Sequence, residues 1–272
     1  MRQFRDVDLT EVRVLLCDAD GNLFPSEEPA FVASAKITNA FLASFGVRSE
    51  LTAEELRLGT TGKNFRTTAV DLCVAYGVAI DPALAEAHPR ADTLGAPGRP
   101  VLTPDVLAYW VAEEKREVSA YLGEVLRPDP EVLEPLGKLG AHLGLAAVSS
   151  SAASRLDVCF TATGLASLFP AGVRYSAEDS LPVPRSKPDP AVYLFAGQRL
   201  GCAGGQALAV EDSLPGAQSA VAAGFPTVGN VMFVPDGERA DRAEVLRRAG
   251  VCAIISSWWE LADLLTPATT RP

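Results

Sequence analysis

The feature that most constrains this fold is a short apolar run, Val14–Cys17, that ends abruptly at an Asp-x-Asp-Gly motif. The run is too short for a typical helix, and its unbroken apolar character is typical of a strand buried on both faces of a parallel sheet. Asp18 and Asp20 then follow the carboxyl end of that strand, the edge where open α/β sheets bind ligands. Neighbouring carboxylates repel each other unless a cation or a proton lies between them. A hard divalent ion such as Mg²⁺ suits them and commonly accompanies a phosphate group, although the same motif is also frequent in solvated turns.

Two later stretches place groups that can bind anions at or beyond a strand end. An apolar run over 143–148 leads into Ser149, Ser150 and Ser151, where hydroxyls and backbone N–H groups can hold phosphoryl oxygens. The alternative for these serines is capping of the next helix. Lys187 directly precedes Pro188, which fixes the loop, and its ammonium can neutralise carboxylates or a phosphoryl group. The alternative for the lysine is an exposed loop position.

A third stretch repeats the acidic strand end. The apolar run over 208–210 ends in Glu211 and Asp212. Because the carboxyl ends of parallel strands share one edge, Asp212 and Asp18 can converge on one metal ion. The alternative is a polar turn in which Asp212 or Ser213 caps the helix that follows.

The order of predicted elements indicates the fold class. Residues 29–124 show helical spacing and no convincing strand, with a Pro- and Gly-rich loop over 88–104, whereas strands and helices alternate from about 130 onward. Such alternation indicates right-handed βαβ units and a parallel sheet. The predicted fold is α/β: a Rossmann-like parallel-sheet core formed by residues 1–26 and 128–272, with an inserted α-helical cap domain at 27–127. A cap that leaves from the active edge can act as a lid.

The individual elements follow from the same periodicities. A capping box from Thr52 to Glu55 starts one helix near 53. The other helices are predicted at 29–46, 65–76, 105–124, 131–139, 155–165, 190–201, 215–224 and 258–265. The strands after the first are predicted at 143–149, 172–176, 206–211, 227–229 and 252–255.

Taken together, the motifs resemble those of the haloacid dehalogenase-like (HAD) phosphohydrolase superfamily. The matching positions are Asp18-x-Asp20-Gly21, Ser149, Lys187 and Glu211-Asp212, and the helical insertion lies where that family places its C1-type cap. The pattern is closest to the β-phosphoglucomutase and phosphoglycolate phosphatase-like branch. One position departs from it, since many members have threonine where this chain has Asn22; we expect that position to affect mostly the local turn.

The resemblance implies a role for each matching residue. Asp18 would be the nucleophile that forms an aspartyl-phosphate, and Asp20 the general acid and base. Ser149 and Lys187 would hold the phosphoryl oxygens. The carboxylates of Asp18 and Asp212 and the backbone carbonyl of Asp20 would bind Mg²⁺, with Glu211 bound to the ion directly or through another ligand.

The resemblance also places substrate selection in the cap. The candidate substrate-binding residues are Thr60, Lys63, Arg66, Lys115 and, in the core, Ser150. The implied function is Mg²⁺-dependent hydrolysis of a small phosphorylated metabolite, such as a sugar phosphate. The alternatives are a β-phosphoglucomutase-like phosphomutase, a phosphonate hydrolase using Lys63 or Lys115, and a non-catalytic binding protein. Haloacid dehalogenation is disfavoured because Asp20 is present.

Composition and charge limit the classes of molecule that this chain is expected to bind. The formal net charge of −10 and the isoelectric point near 4.8 argue against nucleic acid. The five cysteines are scattered without a Cys-x-x-Cys pair, which indicates reduced core thiols. No signal-peptide pattern and no membrane-length apolar stretch is found. We expect a cytoplasmic protein, a monomer or weak homodimer, with a small phosphorylated metabolite as partner and neither nucleic acid nor membrane.

Overall fold

In the computed structural model, which describes residues 2–4, 7–60 and 64–265, the apolar run Val14–Cys17 forms a strand as predicted. It belongs to a seven-stranded sheet whose strands are β1 Arg2–Gln3, β2 Val14–Cys17, β3 Gly144–Ser149, β4 Arg174–Ser176, β5 Ala207–Glu211, β6 Thr227–Asn230 and β7 Ala253–Ile255. Their order in space is β1-β7-β6-β5-β2-β3-β4. All neighbouring pairs are parallel except β1, which pairs antiparallel with β7 at the edge.

The helices divide between two compact parts of the chain. One part comprises the residues up to Ser26 and from Leu126 onward, and we call it the sheet unit; Glu27–Val125 forms the other, the helical unit. The helical unit contains α1 Glu27–Ser44, α2 Ala53–Thr60, α3 Phe65–Ala75 and α4 Pro104–Val125. The sheet unit contains α5 Pro130–Gly140, α6 Ala153–Ala162, α7 Ala191–Leu200, α8 Leu214–Ala222, α9 Arg239–Ala249 and α10 Trp258–Leu265.

Register brings three strand ends to one edge of the sheet. β2 pairs with β3 from Val14↔Gly144 onward and with β5 from Val14↔Ala207 onward. The residues that follow β2 and those that end β3 and β5 therefore lie side by side. β5 is buried along its whole length, as are the last three residues of β2, which is the two-sided burial expected of parallel strands. This sheet edge carries the chemically useful side chains.

The helical unit has a core of its own. Phe41, Ile80 and Leu107 are fully buried in it, and the Phe41 ring makes edge contacts with Phe65 and Trp110. The predicted capping box is present at the start of α2: the Thr52 backbone N–H donates to Glu55 Oε2 at 2.9 Å, and the Glu55 N–H donates to Thr52 Oγ1 at 3.1 Å. The predicted loop over 88–104 is irregular up to residue 103, after which α4 begins, and its Leu102 forms an isolated bridge with Ile80.

The predicted fold class is confirmed: the sheet is Rossmann-like, and a helical segment is inserted after its first long strand. Two elements escaped prediction. β1 has only two residues, too few for any periodic pattern. Helix α9 buries a single apolar side chain, Leu246, so its charged sequence has no apolar stripe. Among the described helices, none has both the length and the apolar character required to cross a membrane.

Candidate active site

A buried lysine links the acidic groups of the two adjacent strands β2 and β5. Lys187 Nζ donates to Asp18 Oδ1, to Glu211 Oε1 at 2.6 Å and to the Val148 carbonyl at 2.7 Å, which uses all three of its N–H bonds. Burial alone would lower the pKa of Lys187, but the charges of Asp18 and Glu211 outweigh burial and raise it. The ammonium is therefore charged, and with its side chain 5% exposed the exposed-loop alternative is wrong.

The two carboxylate oxygens of Glu211 differ in their hydrogen bonds. Its Oε1 also accepts a 2.5 Å hydrogen bond from the Tyr193 hydroxyl. Its Oε2 is buried and has no hydrogen-bond partner among the described residues. Gly216 on α8 lies so close that a Cβ there would come within 1.8 Å of Oε2. A buried carboxylate oxygen without a donor is costly unless a cation or an unobserved donor satisfies it.

The acidic groups meet the requirements of a metal site. Asp18, Glu211 and Asp212 are all buried, and one carboxylate oxygen from each lies within 4.8 Å of the others. Burial raises the pKa of Asp18 well above its usual value; Lys187 opposes this shift and Glu211 adds to it. A hard cation would favour the ionised form, and carboxylate oxygens are the ligands that Mg²⁺ prefers. The residues present therefore fit Mg²⁺.

Asp20 points its carboxylate toward a different set of partners. Its Oδ1 accepts from the Ser26 hydroxyl at 2.6 Å, and its Oδ2 accepts from the hydroxyls of Ser151 at 2.7 Å and Ser149 at 3.5 Å. Arg155 Nη2 lies 3.5 Å from Oδ1. Burial raises the pKa of Asp20, but Arg155 and the serine hydroxyls together lower it below its usual value. The carboxylate of Asp20 is thus ionised here and outside the acidic cluster; metal binding through its backbone carbonyl stays a prediction.

The three serines at the end of β3 form hydrogen bonds with one another and with the loop that carries Lys187. Ser149, almost fully buried, accepts from the Ser151 backbone N–H at 3.0 Å, and Ser150 Oγ accepts from the Lys187 N–H at 3.2 Å. The capping alternative is wrong for these serines, since the N-cap of α6 is Ala152. Ser150 therefore fixes the lysine loop, and its contact with substrate stays a prediction.

Capping does explain the residue after the acidic pair. Ser213 is the N-cap of α8, and its hydroxyl accepts from the Gly216 N–H at 3.2 Å. The Asp212 carboxylate instead joins the acidic cluster, while Arg242 on α9 donates to the Asp212 backbone carbonyl at 2.9 Å. The loop after β5 is therefore fixed from both α8 and α9.

Sequence reasoning missed several residues that surround these groups. Tyr193 lies on α7, in a segment whose apolar spacing predicts a helix packed against the core but no contact with the site. Arg155 lies in the first turn of α6, and Arg242 lies on the helix that escaped prediction. A usable signal existed for Arg155, because the first turn of a helix that follows a strand faces the carboxyl edge of the sheet.

The predicted cap residues belong to the helical unit. The Thr60 hydroxyl donates to the Leu56 carbonyl of its own helix at 2.6 Å. Arg66 is exposed on α3, and Lys115 lies half-buried on α4. Lys63 lies outside the described residues. Substrate binding by these four residues stays a prediction.

Comparisons with known proteins give one family. A family model described as haloacid dehalogenase-like hydrolase matches residues 12–224. A search of curated protein sequences finds no match.

Several solved structures are similar over nearly the whole chain. A HAD family hydrolase from Deinococcus radiodurans, with bound phosphate and sodium, is 29% identical with a TM-score of 0.60 and covers 95% of this chain and 99% of its own. A CbbY variant from Rhodobacter sphaeroides in complex with xylulose-(1,5)bisphosphate is 20% identical (TM-score 0.63, 92% and 96% covered). A predicted phosphoglycolate phosphatase from Haemophilus somnus is 22% identical (TM-score 0.63, 94% and 99% covered). At these lower identities, the last two similarities establish the fold alone.

Proposed function

This chain belongs to the haloacid dehalogenase-like hydrolase family, and from that premise we propose that it is an Mg²⁺-dependent phosphomonoester hydrolase. Its substrate is a small phosphorylated metabolite of the sugar-phosphate class. One observation carries the proposal: Lys187 joins Asp18 to Glu211 at the edge where Asp212 completes an acidic cluster. A charged, buried lysine beside three carboxylates is an arrangement suited to a nucleophilic carboxylate and an anionic substrate.

Asp18 is the nucleophile in this proposal. One of its carboxylate oxygens forms a bond to phosphorus as the bond to the ester oxygen breaks in line, which gives an aspartyl-phosphate on Asp18. Lys187 favours the ionised form of Asp18 and, with Ser149, binds phosphoryl oxygens. In its protonated form Asp20 gives its proton to the departing oxygen, and the resulting carboxylate then removes a proton from water, whose attack on phosphorus restores Asp18 and releases phosphate. The proton taken from water is the one that Asp20 gives in the next cycle. The hydrogen bonds that hold Asp20 ionised suit its second, basic step.

Mg²⁺ would be held by Asp18, Glu211 and Asp212 together with the backbone carbonyl of Asp20. When bound, it supplies positive charge that offsets the charge of the phosphoryl group. The single positive charge of Lys187 does not neutralise the three carboxylates of the acidic cluster, and Glu211 Oε2 has no hydrogen-bond partner among the described residues; both observations support a cation at this place.

The helical unit acts as the cap and selects the substrate. Thr60, Lys63, Arg66 and Lys115 are its candidate contacts, with Ser150 from the sheet unit. A cationic and hydroxyl-bearing set suits a phosphorylated, hydroxylated metabolite. We place the enzyme in the cytoplasm, as a monomer or weak homodimer, with neither nucleic acid nor membrane as partner.

The first experiment measures phosphate release from a panel of phosphorylated sugars and small acids, with Mg²⁺ or with a chelator. We expect Mg²⁺-dependent release that Asp18→Asn lowers by about 10⁶-fold while leaving the fold intact, as loss of a nucleophile does elsewhere. Asp236→Asn is the matched control, since Asp236 is 89% exposed and has no role in the proposed chemistry, and it should release phosphate at the wild-type rate.

Other outcomes would refute the proposal. Near-normal release by Asp18→Asn would exclude this mechanism. Isomerised sugar phosphate without free phosphate would identify a phosphomutase, because the aspartyl-phosphate would then outlive attack by water. No conversion of any ester by the wild type would favour a non-catalytic protein.

A further inference from the structure

We propose that Asn22 is a positioning residue whose buried amide fixes the spacing between Asp18 and the acidic pair Glu211-Asp212. The inference rests on the proposed function, because it concerns the same metal site. It also corrects the expectation that this position affects mostly the local turn. Asn22 is fully buried, and its side chain contacts strands far from it in sequence.

The amide of Asn22 bridges the ends of β2 and β5. Its Nδ2 donates to the Asp18 carbonyl at 2.9 Å and to the Val210 carbonyl at 3.1 Å. The Val210 carbonyl also accepts from the Asp18 backbone N–H at 2.9 Å, the last rung between the two strands. The peptide that Asn22 holds on one side belongs to the proposed nucleophile, and the one on the other side leads directly to Glu211.

A chain of hydrogen bonds fixes which way the Asn22 amide points. The Met232 backbone N–H donates to Asn230 Oδ1 at 2.9 Å, so Asn230 Nδ2 faces Asn22 and donates to its Oδ1 at 2.8 Å. Asn22 Nδ2 then faces the two strand carbonyls. Trp258 Nε1 donates to the Asn22 backbone carbonyl at 3.3 Å. Each amide orientation is determined by the next partner, which is how such assignments are made secure.

A threonine at position 22 could not form all the hydrogen bonds that the Asn22 amide forms. A threonine hydroxyl has a single O–H to donate, whereas a side-chain amide has two N–H donors and an acceptor. Asn22 can therefore satisfy two carbonyls and still receive Asn230. A metal site tolerates little change in the distance between its ligands, and groups that orient the ligands affect affinity without binding the ion.

The test measures Mg²⁺ binding by calorimetry without substrate, beside turnover and thermal stability. We expect Asn22→Ala to weaken Mg²⁺ binding by about tenfold, the range found for residues that orient metal ligands. Raising the Mg²⁺ concentration should restore much of the lost turnover, because the groups that react are unchanged. Asn230→Ala should shift the affinity in the same direction by less, since it frees the Asn22 amide without removing it.

Thr227→Val is the matched control. Thr227 is equally buried at the opposite end of β6 from Asn230, and its hydroxyl donates to the Phe225 carbonyl at 2.9 Å. Its loss should lower thermal stability and leave the Mg²⁺ dissociation constant unchanged. Affinity changes in the asparagine variants alone would support positioning rather than general weakening of the fold.

Three results separate the possible failures. Wild-type protein that binds Mg²⁺ and hydrolyses esters, beside an Asn22→Ala variant that is less stable but has unchanged affinity and turnover, overturns the inference alone. Wild-type protein that neither binds Mg²⁺ nor hydrolyses esters overturns the proposed function and the inference with it. If Asn22→Ala does not fold, Asn230→Ala decides, and unchanged Mg²⁺ affinity in that variant overturns the inference.

Discussion

At the residue scale, the candidate site is defined by how completely its donors are used. Lys187 has three N–H bonds and three acceptors, so any drift of its loop breaks a charged hydrogen bond. Glu211 Oε1 accepts hydrogen bonds from Lys187 and Tyr193, whereas Oε2 accepts none from the described residues. This difference in hydrogen bonding between the two Glu211 oxygens indicates that a cation binds beside Oε2.

Gly216 gives a direct test of that local geometry. Gly216→Ala should destabilise the protein by about 1–3 kcal/mol, the usual cost of overpacking, because its Cβ would displace the Glu211 carboxylate. It should also weaken Mg²⁺ binding. Chemical denaturation and metal titration measure the two effects.

The control for Gly216 lies on another helix. Gly137 on α5 is exposed, and a Cβ there meets nothing within 4 Å. Gly137→Ala should leave Mg²⁺ binding unchanged and stabilise the protein by up to about 1 kcal/mol, since alanine is the better helix former. Equal behaviour of the two variants would show that contact with Glu211 has no consequence.

The sequence indicates the residues at strand ends better than those that surround them. Asp18, Ser149 and Glu211 each end or follow an apolar run, so parallel register alone predicts that they lie together. Tyr193 and Asn230 give no such signal, because their roles depend on which face of α7 and which end of β6 meets the site. The bridging role of Asn22 was invisible because its partners lie on strands distant in sequence.

At the element scale, α9 shows where periodicity fails as a guide. Helices that pack through a broad apolar stripe are visible in the sequence, whereas α9 attaches through Leu246 and through polar groups. One of those polar groups, Arg242, reaches the loop after β5. The helix thus contacts the site through the backbone carbonyl of Asp212 and, at 4.0 Å, through the Asp212 carboxylate.

Replacing Arg242 should reveal that contribution. Arg242→Ala removes the hydrogen bond to the Asp212 carbonyl and the 4.0 Å ion pair with Asp212 Oδ2, and it should cost about 1 kcal/mol in the free energy of unfolding, measured by chemical denaturation. Arg248→Ala on the same helix is the control: its side chain is 75% exposed and pairs with Glu244, so we expect no measurable change. A null effect at Arg242 would mean that the loop is held without α9.

At the scale of the whole molecule, the proposed chemistry belongs to one of the two units. All three carboxylates of the acidic cluster lie in the sheet unit, while the helical unit has a separate core. Strand periodicity and helical periodicity change where the chain passes from one unit to the other, which is why the insertion could be recognised in the sequence. The exact ends of the insertion carry no such signal.

Binding of Mg²⁺ should therefore protect only part of the chain. At a concentration 100 times the dissociation constant, the ion should slow hydrogen exchange by about 100-fold wherever opening releases it. We expect that protection in peptides covering 13–24 and 206–214, and not in peptides covering 104–125. Hydrogen exchange followed by mass spectrometry measures this, with K⁺ at equal ionic strength as the control. Equal protection throughout both units would contradict it.

The interior position of β2 has a consequence for how the protein is made. β2 pairs on both sides with strands that follow the entire helical unit in the sequence. On the ribosome, the nascent β2 therefore waits without a partner while the helical unit emerges as one contiguous stretch, free to form its own core first. Asp18 meets Glu211 only after β5 has been translated, so hydrolytic competence arrives late in synthesis.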